Sequence, residues 1–464
     1  MKKLLPLLLG LLFFFVGFSY GEEALESSKS SDTGADGILK RGLIASGEVL
    51  LSNFVLMAFN ILFTDDPWAT PSTESIRENY TLPWIWDHNS FRVNHLGHPY
   101  QGALYFSAGR VNGFGFYESL FFSALGSYTW ETFCEGKQGS INDLITTIGT
   151  SMSLGEILYR LYLEADAEGI PAPAAFFINP IAGFHYLVTR REPPAAGGNI
   201  YQLNTYIGMG WVQTNFSLSD SDINYELFSF RGLIANAGFS TIYGNPFIQE
   251  SIGPFNHFEI AVFFGVDAGN YMGIRVISDG YLFSFSPVST DTDMMSTGLS
   301  LHFDVATLGE LELNYSSIDQ FSNALNWTIK YQHLFSEDVA FEAKAHLGVT
   351  FMGGAKIFPK LDEQQKIYGY GFNSKKSFAL ENKRVGRLEV SVFNYLLCGF
   401  YNISSAINFY WLFVDGIYYH YLSKNLSLAI ANSFAMERGY NSGGDFHDTN
   451  AYNNEIKFFA VWRL

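Results

Sequence analysis

The chain has 464 residues and a formal net charge of −17 at pH 7, which excludes nucleic acid as a partner, because neutralising phosphates needs a basic surface. Charged residues make up 16% and aromatics 17%, with 44 Phe, 27 Tyr and 44 Gly. A soluble domain carries about 25% charge, so an ordinary secreted globule is excluded, and the class that fits is the outer-membrane β-barrel, with its apolar band and aromatic girdles.

Lys2 and Lys3 precede an apolar run from Leu4 to Phe18, and Ser19 and Gly21 are the small residues of a cleavage site. This reads as a signal peptide over 1–21. No Cys follows the run, so a lipid anchor is not expected. Residues 22–40 are acidic and Ser-rich, the composition of a flexible leader. Beyond it, Val49–Phe63 is the longest apolar stretch, interrupted by Ser52, Asn53 and Asn60. It falls short of the about 18 apolar residues that identify a spanning helix, so no further membrane helix is expected.

Residues 41–192 carry helical periodicity with start and stop signals. His98-Pro99 opens a helix that Gly113 stops. Tyr117 to Glu135 forms the next, closed by Gly136. Ser140 with Asp143 three residues on is a capping box opening a third. Asn179-Pro180 opens another, with Pro in its first turn.

From 198 to 464 the period changes to two. Tyr201, Leu203, Ile207, Met209 and Trp211 share one face, as do Phe258 to Val266, Leu299 to Val305, Leu388 to Val392, and Leu426, Leu428, Ile430 and Phe434. Turn clusters at Ser219–Asp222, Ser289–Asp293 and Asn441–Asp445 separate them. About a dozen strands fit, an even number as barrels require. The last strand alternates Ile456, Phe458, Ala460, Trp462 and Leu464. It resembles the C-terminal signal read by the barrel assembly machinery, with Leu464 in place of the usual aromatic residue. The fold class expected is therefore an antiparallel β-barrel of about 12 strands preceded by a helical segment. Inward positions such as Ala261, Phe263, Gly265, Phe459 and Val461 are too apolar for an open porin. They need a packing partner, and the helical segment is expected to supply it in the lumen or at its periplasmic mouth.

Within the helical segment one pattern runs through Trp86, Asp87, Phe91, Asn94, His98-Pro99, Gly102, Tyr105-Phe106, Arg110 and Gly113. It continues through Trp130-Glu131, Glu135, Ser140, Asp143, Gly149 and Gly155-Glu156. This pattern resembles an exported bacterial family, domain of unknown function 3943, with Gly109 standing where the family has Ala. The resemblance implies an envelope location and a helical segment ahead of a barrel, and no activity.

The residues carry their own chemistry. His95 and His98 are three apart, but Pro99 pushes His98 out of helical geometry, which places the pair on an entry loop. Gly102, Gly109 and Gly113 form a stripe that admits another backbone. Glu131 and Glu135 share a face at the C-terminal end of a helix, where the dipole disfavours negative charge. Arg110 is the expected partner, with His95 or His98 next. Such a cluster is either a structural ion-pair network or an acid-base site on lipid or glycolipid. His185 reads as a hydrogen-bonded core residue. No metal motif, phosphate loop, dinucleotide fingerprint or nucleophile elbow occurs, so neither metal nor cofactor is expected. Cys134 and Cys398 are the only cysteines, and their spacing leaves a disulfide open. The function expected is an outer-membrane barrel with a plugged lumen and a structural, binding or lipid-homeostasis role. An envelope enzyme and a solute channel are the alternatives, and outer-membrane lipid is the expected surrounding.

Overall fold

The computed structural model describes residues 35–464 apart from 64–67, 69, 88–90, 195, 221–222, 248–252, 269–270, 310–315, 361–362, 403–404 and 442–446. The signal peptide, most of the leader and the turn at Asn441–Asp445 lie outside or largely outside these residues. The chain forms two compact units, one of residues up to 198, without 90–92, and one of residues 199–464 joined by 90–92.

The first unit is helical: α1 (Ala35–Phe63), α2 (Thr73–Thr81), a π-helical turn (Val93–Gly97), α3 (His98–Val111), α4 (Leu120–Phe133), α5 (Ile141–Ala167), α6 (Ala172–Ile178) and α7 (Pro180–Thr189). Two expectations are corrected at its start. Helix α1 takes in the last leader residues, and its polar side chains do not interrupt it. A helix leaves side chains free to bond sideways, and Asn53 Nδ2 donates to Gly126 O at 3.0 Å and to Thr129 Oγ1 at 2.9 Å. The 28 residues Asp36–Phe63 are long and apolar enough to cross a membrane, by length and composition alone, with a mean hydropathy of 1.7.

Close backbone approach organises the helices. A Cβ on Gly102 would stand 2.3 Å from Thr147 O of α5, and one on Gly155 would meet Phe106 of α3 at 2.8 Å. These glycines let α3 and α5 touch along their backbones. Gly109 instead faces Ser119 and Phe122, and Gly113 lies beyond α3 with φ +79°. Only Gly102 and Gly109 therefore serve packing within the helix, while Gly113 ends it, a left-handed position that favours glycine. Asn179 caps α7 as expected, accepting from Ala182 N at 3.1 Å. His185 is buried and meets Glu48 at 2.7 Å.

Arg110 does not reach Glu131 or Glu135. Its Nε stands 2.8 Å from Glu156 Oε2, its Nη2 donates to Glu156 Oε1 at 3.2 Å, and its Nη1 donates to Phe114 O at 2.9 Å. Arg160 holds the same carboxylate at 2.7 Å. The guanidinium also lies over the Tyr159 ring. The pair joins α3 to α5 next to the glycine contacts.

The second unit is a closed antiparallel barrel of twelve strands in sequence order, β1 pairing with both β2 and β12. They are β1 (Ile200–Asp220), β2 (Ile223–Tyr243), β3 (Phe258–Val266), β4 (Met272–Ser289), β5 (Asp293–Gly309), β6 (Ser316–Leu334), β7 (Val339–Lys360), β8 (Glu363–Asn382), β9 (Gly386–Asn402), β10 (Ser405–Tyr421), β11 (Leu426–Asn441) and β12 (Asp448–Arg463). The seam sets Asn204 opposite Arg463 and Trp211 opposite Ile456, and Leu464 N donates to Leu203 O at 2.9 Å. The turn at Ser289–Asp293 joins β4 to β5 as its composition predicts. Cys134 and Cys398 are both free.

Outward residues divide along the strands. Ile207, Met209 and Trp211 of β1 are exposed, as are Leu233 of β2 and Ile456, Phe458 and Trp462 of β12. Further from the termini the same face of β1 turns polar at Gln213, Asn215 and Ser217. Strand β1 has 21 residues, whereas a tilted span needs about 9–11. The apolar band therefore occupies the half of the barrel that carries the start of β1 and the end of β12.

Arg110→Ala tests the α3–α5 pair. Breaking a buried pair costs about 3–5 kcal/mol; here Arg160 still holds Glu156, so a loss of about 2–3 kcal/mol is expected in thermal or denaturant unfolding. Glu156→Gln in the same chain should recover part of it, and Glu131→Gln should recover none. Equal stability of wild type and Arg110→Ala would remove the pair from the fold's support.

Candidate functional site

The chain segment before α3 and the C-terminal end of α4 converge on the start of α5. Ile85 pairs beside Ser140, with Ile85 N bonded to Gly139 O at 3.0 Å and Ile141 N to Ile85 O at 2.8 Å. That bridge carries Asp87 to the first turn of α5. There Asp87 Oδ1 accepts from Asn94 Nδ2 at 2.9 Å and from Asn142 Nδ2 at 2.8 Å. His98 opens α3, so the helical geometry that Pro99 disfavours is adopted after all; the π-helical turn Val93–Gly97 leads straight into the helix. His95 lies in that turn and is buried.

The capping box at Ser140 is only half formed. Ser140 Oγ accepts from Asp143 N at 3.2 Å, but the Ser140 N–H goes to Glu131 Oε2 at 2.8 Å. Glu131 takes the place that the Asp143 carboxylate would fill in a full box. Asp143 is left turned toward His98, with His98 Nε2 3.5 Å from Asp143 Oδ2. Glu135 follows the end of α4 and accepts from Trp130 Nε1 at 3.0 Å. The two glutamates thus find their compensation in N–H donors and in the N-terminus of α5, whose dipole favours anions, and not in Arg110.

His98, Glu131, Glu135 and Asp143 are all buried, Glu131 and Asp143 completely so. One ligand atom each from His98, Glu131 and Asp143 lies within 4.8 Å of the others. His98 Nε2, Glu131 Oε1 and Asp143 Oδ2 have no hydrogen-bond partner among the described residues. Burial holds the Glu131 carboxyl well above the usual carboxylate range, and Glu135 and Asp143 add to it. Burial and then Asp87 do the same to Asp143. Burial raises Glu135 against the opposing pull of His98. It lowers His98, opposed by Glu135 and Asp87. The physical content is one: carboxylates crowd a dry site where positive charge is scarce.

Of the residues singled out in the sequence, His98, Glu131, Glu135, Ser140 and Asp143 come together here, with Asn94 supporting through Asp87. Pro99 and Gly102 hold the start of α3 in place; Arg110, Gly109, Gly113, Gly155 and Glu156 belong to helix packing elsewhere. Asn142 and Trp130 escaped sequence reasoning as orienting groups, because nothing in spacing shows where an amide or indole N–H points.

A second polar assembly fills the barrel. Lys330 Nζ donates to Glu259 at 2.8 Å and to Asp279 at 2.9 Å, and contacts His257 Nε2 at 2.8 Å. Lys344 holds the other Glu259 oxygen at 2.7 Å, Lys375 bonds Asp304 at 2.8 Å, and Arg387 bonds Glu342 at 2.8 Å. All of these side chains except His257 and Asp304 border a cavity of about 330 Å3 inside the barrel. Its apolar wall includes Phe263, packed on Tyr206, which in turn packs on Phe459. Of the inward apolar positions, Phe263, Phe459 and Val461 pack together with Tyr206 in one cluster.

Solved structures to which the chain is similar include the outer-membrane protease OmpT of Escherichia coli, with 8% identity over 57% of this chain and 97% of that one, and a TM-score of 0.23. The toluene transporter TodX of P. putida gives 8% identity over 57% and 90%, with a TM-score of 0.23. A FadL homologue of Pseudomonas aeruginosa gives 7% over 56% and 90%, with a TM-score of 0.24. At such values these likenesses add nothing to what the closed strand order already shows. No curated protein matches the chain. Residues 83–181, which hold the whole His98–Glu131–Asp143 cluster, match the family described as Domain of unknown function (DUF3943).

Proposed function

We propose that this protein is an outer-membrane β-barrel whose lumen is closed by its own side chains, with a binding or structural role in the envelope in place of conduction. The observation that carries this reading is the apolar core at the end of the barrel away from the chain termini. Phe216, Ile357, Leu397, Phe409, Trp411 and Phe413 are buried there against one another. The start of β6 also crosses the lumen. Thr214 Oγ1 of β1 donates to Ser317 Oγ at 2.8 Å, and Asp319 N donates to Glu437 Oε2 of β11 at 3.2 Å, although neither β1 nor β11 neighbours β6 in the sheet. Packed side chains and a strand end across that mouth block the bore at one end, unlike a porin's water-filled channel.

The outward apolar band supports lipid as the surrounding medium, and the alternating last strand supports delivery by the barrel assembly machinery. The acid-base reading of His98 and Glu131 fits less well, because both are buried and a lipid or sugar must reach its catalyst.

Two measurements test the proposal. In planar bilayers the purified full chain should give no steady large pore, and Phe216→Ala with Trp411→Ala should raise the frequency of openings. A large steady conductance in the wild-type protein refutes the closed lumen. For the membrane location, Ile207→Arg near the middle of the apolar band should cost about 2–4 kcal/mol in unfolding from phospholipid vesicles. Gln213→Arg, beyond the band, should stay within about 1 kcal/mol. Equal effects at both positions would contradict a bilayer around that band.

A further inference from the structure

We propose that His98, Glu131 and Asp143 bind a single divalent transition-metal ion inside the helical domain. Three observations lead there, and none depends on how the barrel works. The first is chemical: an imidazole nitrogen and two carboxylate oxygens are a ligand set for Zn2+, Mn2+ or Fe2+. The second is geometric. The three ligand atoms lie within 4.8 Å of one another, and ligands held about 2.0–2.2 Å from a zinc ion stand about 3–4 Å apart. A small inward closure completes the site.

The third observation is that the three atoms are unsatisfied. His98 Nε2, Glu131 Oε1 and Asp143 Oδ2 are buried without hydrogen-bond partners among the described residues. A buried polar atom left unmade costs free energy, and three such atoms aimed at one point share a cause. Each carboxylate is also held by its other oxygen: Glu131 Oε2 by the Ser140 N–H at 2.8 Å, Asp143 Oδ1 by Asn142 Nδ2 at 2.8 Å. Outer groups that orient ligands in this way are the usual support of a metal site.

A plain His98–Asp143 ion pair does not account for the arrangement. At 3.5 Å it is long, it leaves Glu131 Oε1 unmet, and it sets one positive charge against Asp87, Glu131, Glu135 and Asp143. A dication answers all three. Three protein ligands leave one position open on a tetrahedral ion and two on a five-coordinate one, which water would fill, and Glu135, held by Trp130 at 3.0 Å, adds a further carboxylate to the cluster. The half-formed capping box at Ser140 is part of the same design, since a full box would turn Asp143 away from His98.

The test uses the full chain in detergent, stripped with a chelator and then titrated with Zn2+ or Mn2+ alone. Metal content by mass spectrometry and calorimetric titration should show one ion per chain, with a rise in melting temperature. His98→Ala, Glu131→Gln and Asp143→Asn should each abolish that binding, and Asn142→Ala should weaken it about 10–100-fold. Glu131→Gln and Asp143→Asn keep side-chain volume, so they report on binding even if His98→Ala fails to fold. In the stripped state the two isosteric variants should melt at or above the wild type, since each removes a crowded charge. Absence of a stoichiometric ion in the wild type, or equal binding by Asp143→Asn, overturns the proposal.

Discussion

The barrel depends on pairing between its first and last strands. Closure abolishes the open sheet edge, so the N–H and C=O groups of the first and last strands find their partners within the sheet. Strand β12 supplies the whole inner edge of β1, from Asn204 opposite Arg463 to Ser219 opposite Asp448. Because the side-chain period is two, that pairing also decides which residues face outward. It sends Ile456, Phe458 and Trp462 outward and Phe459 and Val461 inward. A slip by one residue would place Glu455 and Lys457 on the apolar band.

With the outside so constrained, the interior collects the polar groups that a charge-poor chain still carries. Lys330, Glu259 and Asp279 come from different strands and meet inside the lumen. Lys330 and Asp279 are buried, Glu259 is half-buried, and each is paired, which low dielectric requires. The helical unit follows the same rule at Arg110, Glu156 and Arg160. It breaks the rule at His98, Glu131 and Asp143, where carboxylates outnumber positive charge. Against the paired charges at Lys330, Lys375 and Arg110 that exception is informative, because structural networks are normally complete while sites that await a ligand are not.

Much of this was legible in the sequence, and the limits are physical. Alternation from Ile456 to Leu464 determined the face of β12, because period-two patterning reports burial directly. Turn residues from Ser289 to Asp293 marked a real hairpin, because those residue types favour turns through their own local hydrogen bonds. The start of α5 at Ser140 was legible for the same reason. What spacing does not carry is contact between distant segments. Arg110 pairs with Glu156, 46 residues away, and not with the glutamates that share a suggestive face. Lys330 meets Glu259 at a separation of 71. The continuity of α1 through Ser52, Asn53 and Asn60 was missed because a hydropathy run treats an amide as an interruption. A helix instead offers Asn53 a carbonyl on α4.

The cluster at the start of α5 shows how a local rule becomes legible only when it fails. Ser140 followed by Asp143 is a full capping box by sequence, and a full box would exhaust both side chains in structural work. The box stands half open because Glu131, at the end of another helix, takes the Ser140 N–H first. That substitution satisfies the helix end equally well, since a carboxylate is a good partner for a helix N-terminus. It also leaves Asp143 buried, with its Oδ2 unpartnered and facing an imidazole. A carboxylate brought from outside to cap a helix that already has its own cap is redundant for folding, and the redundancy gains a purpose once Asp143, Glu131 and His98 are counted as ligands of one ion.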